Sequence, residues 1–182
     1  PFLDDPPGLY TAPVNGEKLK KKVRAGSVVY GSMISMGRNP RWTTPLDDLG
    51  LDYVIIDTEH SPRDRAELGD YLAATKAMGP VPIVRVPIPD SHYVTMALDA
   101  GAQGVLAPYC ETVEEVRDVV GAAKWRPLKG ALVRKVVEHD EFPSQDTKAY
   151  LEDRNRNVVC IIGIESVPAI DTLPAILEVP GI

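Results

Sequence analysis

Apolar residues recur along this chain in two alternating patterns. Short continuous runs come first: SVVYGS over 27–32, YVIID over Tyr53–Asp57, VPIVRV over 81–86, GVLAP over 104–108 and VVCIIGI over 158–164. Such runs, with no polar alternation, are typical of strands buried on both faces of a parallel sheet. Between them, residues fall on one face at helical spacing. Leu68, Tyr71, Leu72 and Thr75 do so, as do Val113, Val116, Val119, Val120 and Ala123, and then Val167, Ile170, Leu173, Ile176 and Leu177. Helix ends are signalled too. Asn15 is placed to cap a helix over 16–24 that Gly26 ends. Thr112 with Glu115 three residues on is a capping box, and Ser166 caps a last helix with Pro168 in its first turn. Gly79-Pro80 and Gly101 mark stops. The alternation predicts an α/β fold with a parallel sheet. The stretch 126–157 interrupts it and is expected to be an excursion with a helix around 146–153. Residues 1–14, with Pro6, Pro7, Gly8 and Pro13, read as an extended arm, and the opening on Pro1 reads as processing or trimming.

Composition narrows the class. The chain has 182 residues, 44% hydrophobic and 25% charged, which is enough apolar material for a core. No apolar run approaches the ~20 residues of a membrane span, and Asp4 and Asp5 stand where a signal peptide needs apolar residues. The net charge is −6 with no basic stripe interleaved with aromatics, which argues against nucleic acid as a partner. The basic cluster over 18–24 reads as the polar face of a short helix. Cys110 and Cys160 form no C-x-x-C pair, so a reducing, cytoplasmic compartment and two buried free thiols are expected.

In parallel α/β folds the working residues stand at the C-terminal ends of strands. Read that way, the second strand delivers Asp57-Thr58-Glu59-His60-Ser61-Pro62 and the third carries Arg85. The fourth leads into Pro108-Tyr109-Cys110-Glu111, and the fifth ends in Glu165. An arginine inside an apolar strand is costly unless it is paired or meets an anion. His60, beside Asp57 and Glu59, is a candidate acid–base group, whereas His92 and His139 read as surface residues. Asp57 and His60 meet only if the chain leaves extended geometry near Thr58, because residues i and i+3 of a straight strand face opposite ways. Glu165 closes an apolar run and is expected to be buried, where it needs a cation, either metal or arginine. Tyr109 and Cys110 are candidate pocket walls. Gly-rich nucleotide loops, a G-x-S-x-G elbow and an H-E-x-x-H helix are absent. No lysine ends an apolar strand, which argues against a Schiff-base aldolase.

LGLDYVIIDTEHSP over 49–62, PIVRVP over 82–87, LDAGAQGVLAPYCET over 98–112 and IESVPAI over 164–170 occur in that order. Together they resemble the HpcH/HpaI aldolase family of metal-dependent pyruvate aldolases, over roughly 15–182. The resemblance implies a (β/α)8 TIM barrel that splits a 4-hydroxy-2-oxo acid (a 2-keto-3-deoxy acid among them) into pyruvate and an aldehyde through a metal-stabilised enolate. Glu165 matches the first metal ligand, Arg85 the arginine that neutralises the oxyanion, His60 the general base and Asp57 the carboxylate that orients it. Glu59 belongs to the same motif in a supporting role. The implied cofactor is a divalent ion, with Mg²⁺ or Mn²⁺ favoured by all-oxygen ligation over Co²⁺ or Zn²⁺. The implied assembly is a homo-oligomer, a hexamer by analogy.

Three departures from the family pattern stand out. Gly163 occupies a position where the family often carries Gln, and the loop Lys124-Trp125-Arg126-Pro127-Leu128-Lys129-Gly130 matches its family counterpart only in part. The second metal ligand, an Asp on the sixth strand, is expected beyond Ile182. Five strand–helix units are visible where a closed barrel needs eight and about 250 residues. Residues 15–182 are therefore expected to be the N-terminal five-eighths of one barrel domain. Other readings keep the barrel: a citryl- or malyl-CoA lyase, a decarboxylase on the same enolate, or a catalytically silent assembly subunit.

Overall fold

The computed structural model describes residues 15–37, 39–43, 46 and 49–182; the arm expected over 1–14 lies outside them. Among the described residues one sheet is formed by β1 (Gly31–Ile34), β2 (Tyr53–Asp57), β3 (Val81–Arg85), β4 (Gly104–Ala107) and β5 (Val159–Ile162). All neighbours are parallel, and their order in space is their order in the chain. The helices are α1 (Asn15–Arg24), α2 (Arg65–Ala77), α3 (Ser91–Asp99), α4 (Val113–Lys124), α5 (Ala131–His139), α6 (Gln145–Asn155) and α7 (Val167–Ile176). Parallel strands laid side by side in chain order, with helical crossovers between them, make a partial TIM-barrel-like fold.

Capping sets several boundaries. Thr112 Oγ1 accepts the Glu115 N–H at 3.2 Å, while Glu115 Oε2 accepts the N–H groups of Thr112 and Glu111 at 3.0 and 2.9 Å. Ser166 Oγ accepts the Ala169 N–H at the start of α7. Three elements differ from expectation. The first strand begins at Gly31 rather than Ser27. Gly31 pairs with Tyr53, whose ring lies where a Cβ would stand, and Val28 and Tyr30 before it are exposed. Helix α3, which carried no expectation, buries the stripe Val94, Ala97 and Leu98 and is started by Asp90, whose side chain accepts the His92 N–H at 2.7 Å. The excursion holds two helices rather than one, because Leu132, Val133, Val136 and Val137 also recur at helical spacing; only Val136 of α5 is buried.

Two apolar clusters flank the sheet. One lies between sheet and helices and joins Ile56, Val84 and Val105 to Leu68, Leu72, Val94, Leu98, Val116 and Val120. The other lies on the inner face, where Leu19 of α1 meets Val81 and Ile83, with Tyr53, Ile55, Leu106, Val159 and Ile161 packed against them. Side chains alternate faces along a strand. Asp57 and Arg85 share the parity of Ile55 and Ile83, so the last residues of β2 and β3 project from the inner face at its rim.

Candidate active site

Strand register places Asp57 directly beside Arg85. Arg85 Nε donates to Asp57 Oδ1 at 2.9 Å, and Nη2 lies 2.9 Å from Oδ2. Nη1 reaches Glu59 Oε2 at 3.2 Å. Asp57 is fully buried, and the Arg85 side chain is 17% exposed. Burial pushes the Asp57 carboxyl up, but the hydrogen bonds from Arg85 and from the backbone of Glu59 and His60 outweigh it and hold the group below its ordinary value. The same bond to Asp57, with the charges of Glu59 and Glu165, raises Arg85 above its own.

The chain leaves extended geometry immediately after β2. Asp57 Oδ1 accepts the N–H groups of Glu59 at 3.0 Å and His60 at 3.4 Å, an Asx-type turn. Thr58 donates both its N–H and its Oγ1 hydroxyl to the Arg85 carbonyl, at 3.0 and 2.7 Å. The expected contact between Asp57 and the His60 imidazole is not formed, because Arg85 and the two N–H groups occupy the carboxylate. Instead His60 Nε2 lies 3.6 Å from Glu59 Oε2, and the ring is 69% exposed. The far end of the loop is fastened just past β1: Ser61 Oγ donates to the Ser35 carbonyl. Arg63, also missed in the sequence, is buried over the Tyr71 ring, with Nη1 3.0 Å from Glu67. Its only sequence signal is the i, i+4 spacing to that glutamate.

Glu165 stands exposed on the rim rather than buried. Its Oε1 accepts the Tyr109 N–H at 3.2 Å. Tyr109 has a φ of 35°, in the left-handed region that costs an ordinary residue on the order of 1–3 kcal/mol. Its hydroxyl donates to the Pro87 carbonyl at 3.4 Å. Desolvation and the charges of Glu59, Glu115 and Glu165 push its phenol up. Cys110 is not a pocket wall. It is wholly buried in the cluster beneath the helices, and burial pushes its thiol up to about 12. Cys160 is likewise buried and free.

Among the described residues no three His, Cys, Asp or Glu side chains are grouped to hold a metal ion. Glu165 offers oxygen donors of the hard kind that a divalent cation takes. Asp57 and Glu59 are committed to the Arg85 guanidinium, whereas the exposed Glu165 spends one oxygen on a backbone N–H.

These features define a barrel-like α/β scaffold with a charged inner rim. The family model described as HpcH/HpaI aldolase/citrate lyase matches residues 32–182, and the chain belongs to that family. It is 30% identical over 175 residues to the hydroxypyruvate/pyruvate aldolase of Roseovarius nubinhibens, covering 94% of this chain and 65% of that protein. It is 34% identical over 136 residues to the 2-dehydro-3,6-dideoxy-6-sulfogluconate aldolase of Pseudomonas putida, covering 73% and 51%. The crystal structure of an HpcH/HpaI aldolase from Desulfitobacterium hafniense matches with a TM-score of 0.72 at 31% identity, over 90% of this chain and 63% of that one. The chain thus spans less than two-thirds of the length of these relatives. No helix among the described residues is long and apolar enough to cross a membrane.

Proposed function

We propose that the protein is a carbon–carbon lyase that splits a 4-hydroxy-2-oxo acid into pyruvate and an aldehyde. The observation that carries this reading is the paired Asp57–Arg85–Glu59 rim with Glu165 and an accessible His60 beside it. His60 takes the proton of the 4-hydroxyl as the C3–C4 bond breaks, and the electron pair passes into the pyruvate enolate. Glu59 Oε2 lies 3.6 Å from the His60 Nε2. Arg85 spends its Nε–H on Asp57 and meets Asp57 Oδ2 and Glu59 only as ion pairs, so its terminal nitrogens carry the donors for the enolate oxygen. Both carboxylates hold that fork in place, so the charge that develops meets donors already oriented. Asp57 acts on His60 through its backbone, shaping the turn that carries the ring. Glu165 would hold a divalent ion, Mg²⁺ or Mn²⁺, which when bound would supply Lewis-acid polarisation of the 2-oxo acid.

The test follows pyruvate released from a 4-hydroxy-2-oxo acid by the full protein, with acyl-CoA lyase activity assayed in parallel. Release is expected to stop in EDTA and return with Mn²⁺. Undiminished release in excess EDTA would sink the metal-dependent reading, and cleavage of acyl-CoA alone would replace the aldol reading. Replacing Arg85 with lysine is expected to lower kcat about 100-fold, since a point charge cannot reproduce the two-sided fork.

A further inference from the structure

Helix α1 lies along the turn that joins α6 to β5. A Cβ at Gly16 would collide with the Asn157 carbonyl, so the helix backbone rests directly on that turn. One helical turn on, Lys20 Nζ donates to the Asn155 carbonyl at 2.6 Å. Arg24 follows on the same face at the same i, i+4 spacing. From α4, Lys124 Nζ donates to the Val158 carbonyl at 2.7 Å, and Lys124 is only 8% exposed. Val158 donates its own N–H to the Asn155 carbonyl at 3.2 Å, so the two ammonium groups back onto one short stretch of chain. Lys20, Arg24 and Lys124 thus gather at the foot of the sheet. Among the described residues no carboxylate forms a salt bridge with any of them; Glu17, on the same helix, is taken by Lys21 at 2.6 Å. Like charges out of water are costly unless something offsets them. Burial, then the charges of Lys124 and Arg24, bring the Lys20 ammonium down to about 8, with Glu17 opposing least. Burial lowers Lys124 as well.

We infer that the Lys20 amine is a modification site that takes up carbon dioxide as a carbamate, with Lys124 and Arg24 beside the anion it becomes. Carbon dioxide reacts with the neutral amine. Lys20 is half-buried, within reach of a small molecule, and keeps one N–H on the Asn155 carbonyl. Its lone pair forms the N–C bond, a C=O π pair moves onto oxygen, and the proton that the nitrogen sheds goes to water. A cluster of like charges becomes two cations about one anion. Lys21 and Lys22 of the same helix are paired with Glu17 and Asp52, where a carbamate would meet a carboxylate instead.

The full chain, equilibrated with ¹³C-labelled bicarbonate near pH 8 and followed by ¹³C NMR, tests this without reference to turnover. A carbamate resonance distinct from bicarbonate is expected, and Lys20→Arg, which keeps the charge and a donor for Asn155, is expected to lose it. Alkylation with triethyloxonium ion and peptide mass mapping are expected to find the trapped carbamate on Lys20 about 10-fold or more above Lys18, Lys21 or Lys22. An ordinary lysine, at about 10.4, is under about 1% neutral at that pH. Lys124→Met is expected to lower the adduct on Lys20 severalfold. An adduct spread evenly over the α1 lysines overturns the inference, and so does a resonance of full strength in Lys20→Arg. Bicarbonate held without a covalent bond leaves no trapped adduct on Lys20 and overturns it too. An undiminished adduct in Lys124→Met overturns the part given to the neighbouring cations. Mapping on the parent chain decides the site even where a variant fails to fold.

Discussion

Asp57 neutralises Arg85 and shapes the turn that presents Glu59 and His60, and asparagine would keep the turn's acceptor oxygen while losing the charge. Asp57→Asn leaves a mostly buried guanidinium with Glu59 as its remaining partner. It is expected to cost about 3 kcal/mol in urea denaturation, at the low end for a broken buried pair. The pairing also sets a pH dependence. Asp57 holds its proton less readily in the folded chain than in the unfolded one, so the unfolded chain binds more protons and stability rises with pH. The contribution is complete above about pH 5 and is lost as pH falls through the lowered value. Thermal melts from neutral to strongly acidic pH should show this limb, flattened in Asp57→Asn; an unchanged limb in that variant would remove Asp57 as its source. The thiols behave in the opposite sense. Burial pushes Cys110 up to about 12 and Cys160 up to about 11, so neither should react with Ellman's reagent near pH 8 until the chain is unfolded.

Among the elements, α4 offers the clearest test of local coding. Its capping box ties Thr112, Glu115 and the Glu111 N–H together at the end of the β4 loop. Thr112→Ala is expected to cost about 1 kcal/mol by chemical denaturation, and Thr112→Ser to restore most of it. Elements of this kind were legible in the chain because signal and structure are both local: a cap, a stripe, a stop. The strands β2 to β5 were legible because burial on both faces leaves a continuous apolar run. β1 was misplaced because its start depends on the fit of the Tyr53 ring against Gly31, a contact between strands. The site divides the same way. Asp57, Arg85 and Glu165 stand where charge interrupts or closes an apolar run, so their positions could be read. Their partners could not. That Asp57 serves Arg85 rather than the His60 ring depends on the β2–β3 register, and the burial of Cys110 depends on the left-handed turn at Tyr109.

At the scale of the whole molecule, α1 closes the foot of the inner face. Leu19 is its one contribution to the buried inner cluster, and it packs with Val81 and Ile83. Leu19→Ala is expected to cost about 2–3 kcal/mol and to cut the cooperativity of unfolding, read as a broadened calorimetric transition. The rim at the other end is built differently, from charges delivered by successive strands. Because the strands lie in space in the order they occur in the chain, the sheet can be laid down as the polypeptide leaves the ribosome. Arg85 is synthesised 28 residues after Asp57, so at roughly 5–20 residues per second the carboxylate waits roughly one to six seconds for its counter-charge. The Tyr109 N–H waits twice as far along the chain, 56 residues, for Glu165. The rim thus acquires its charges in a fixed temporal order, acid before base at β2 and β3, with Glu165 after both.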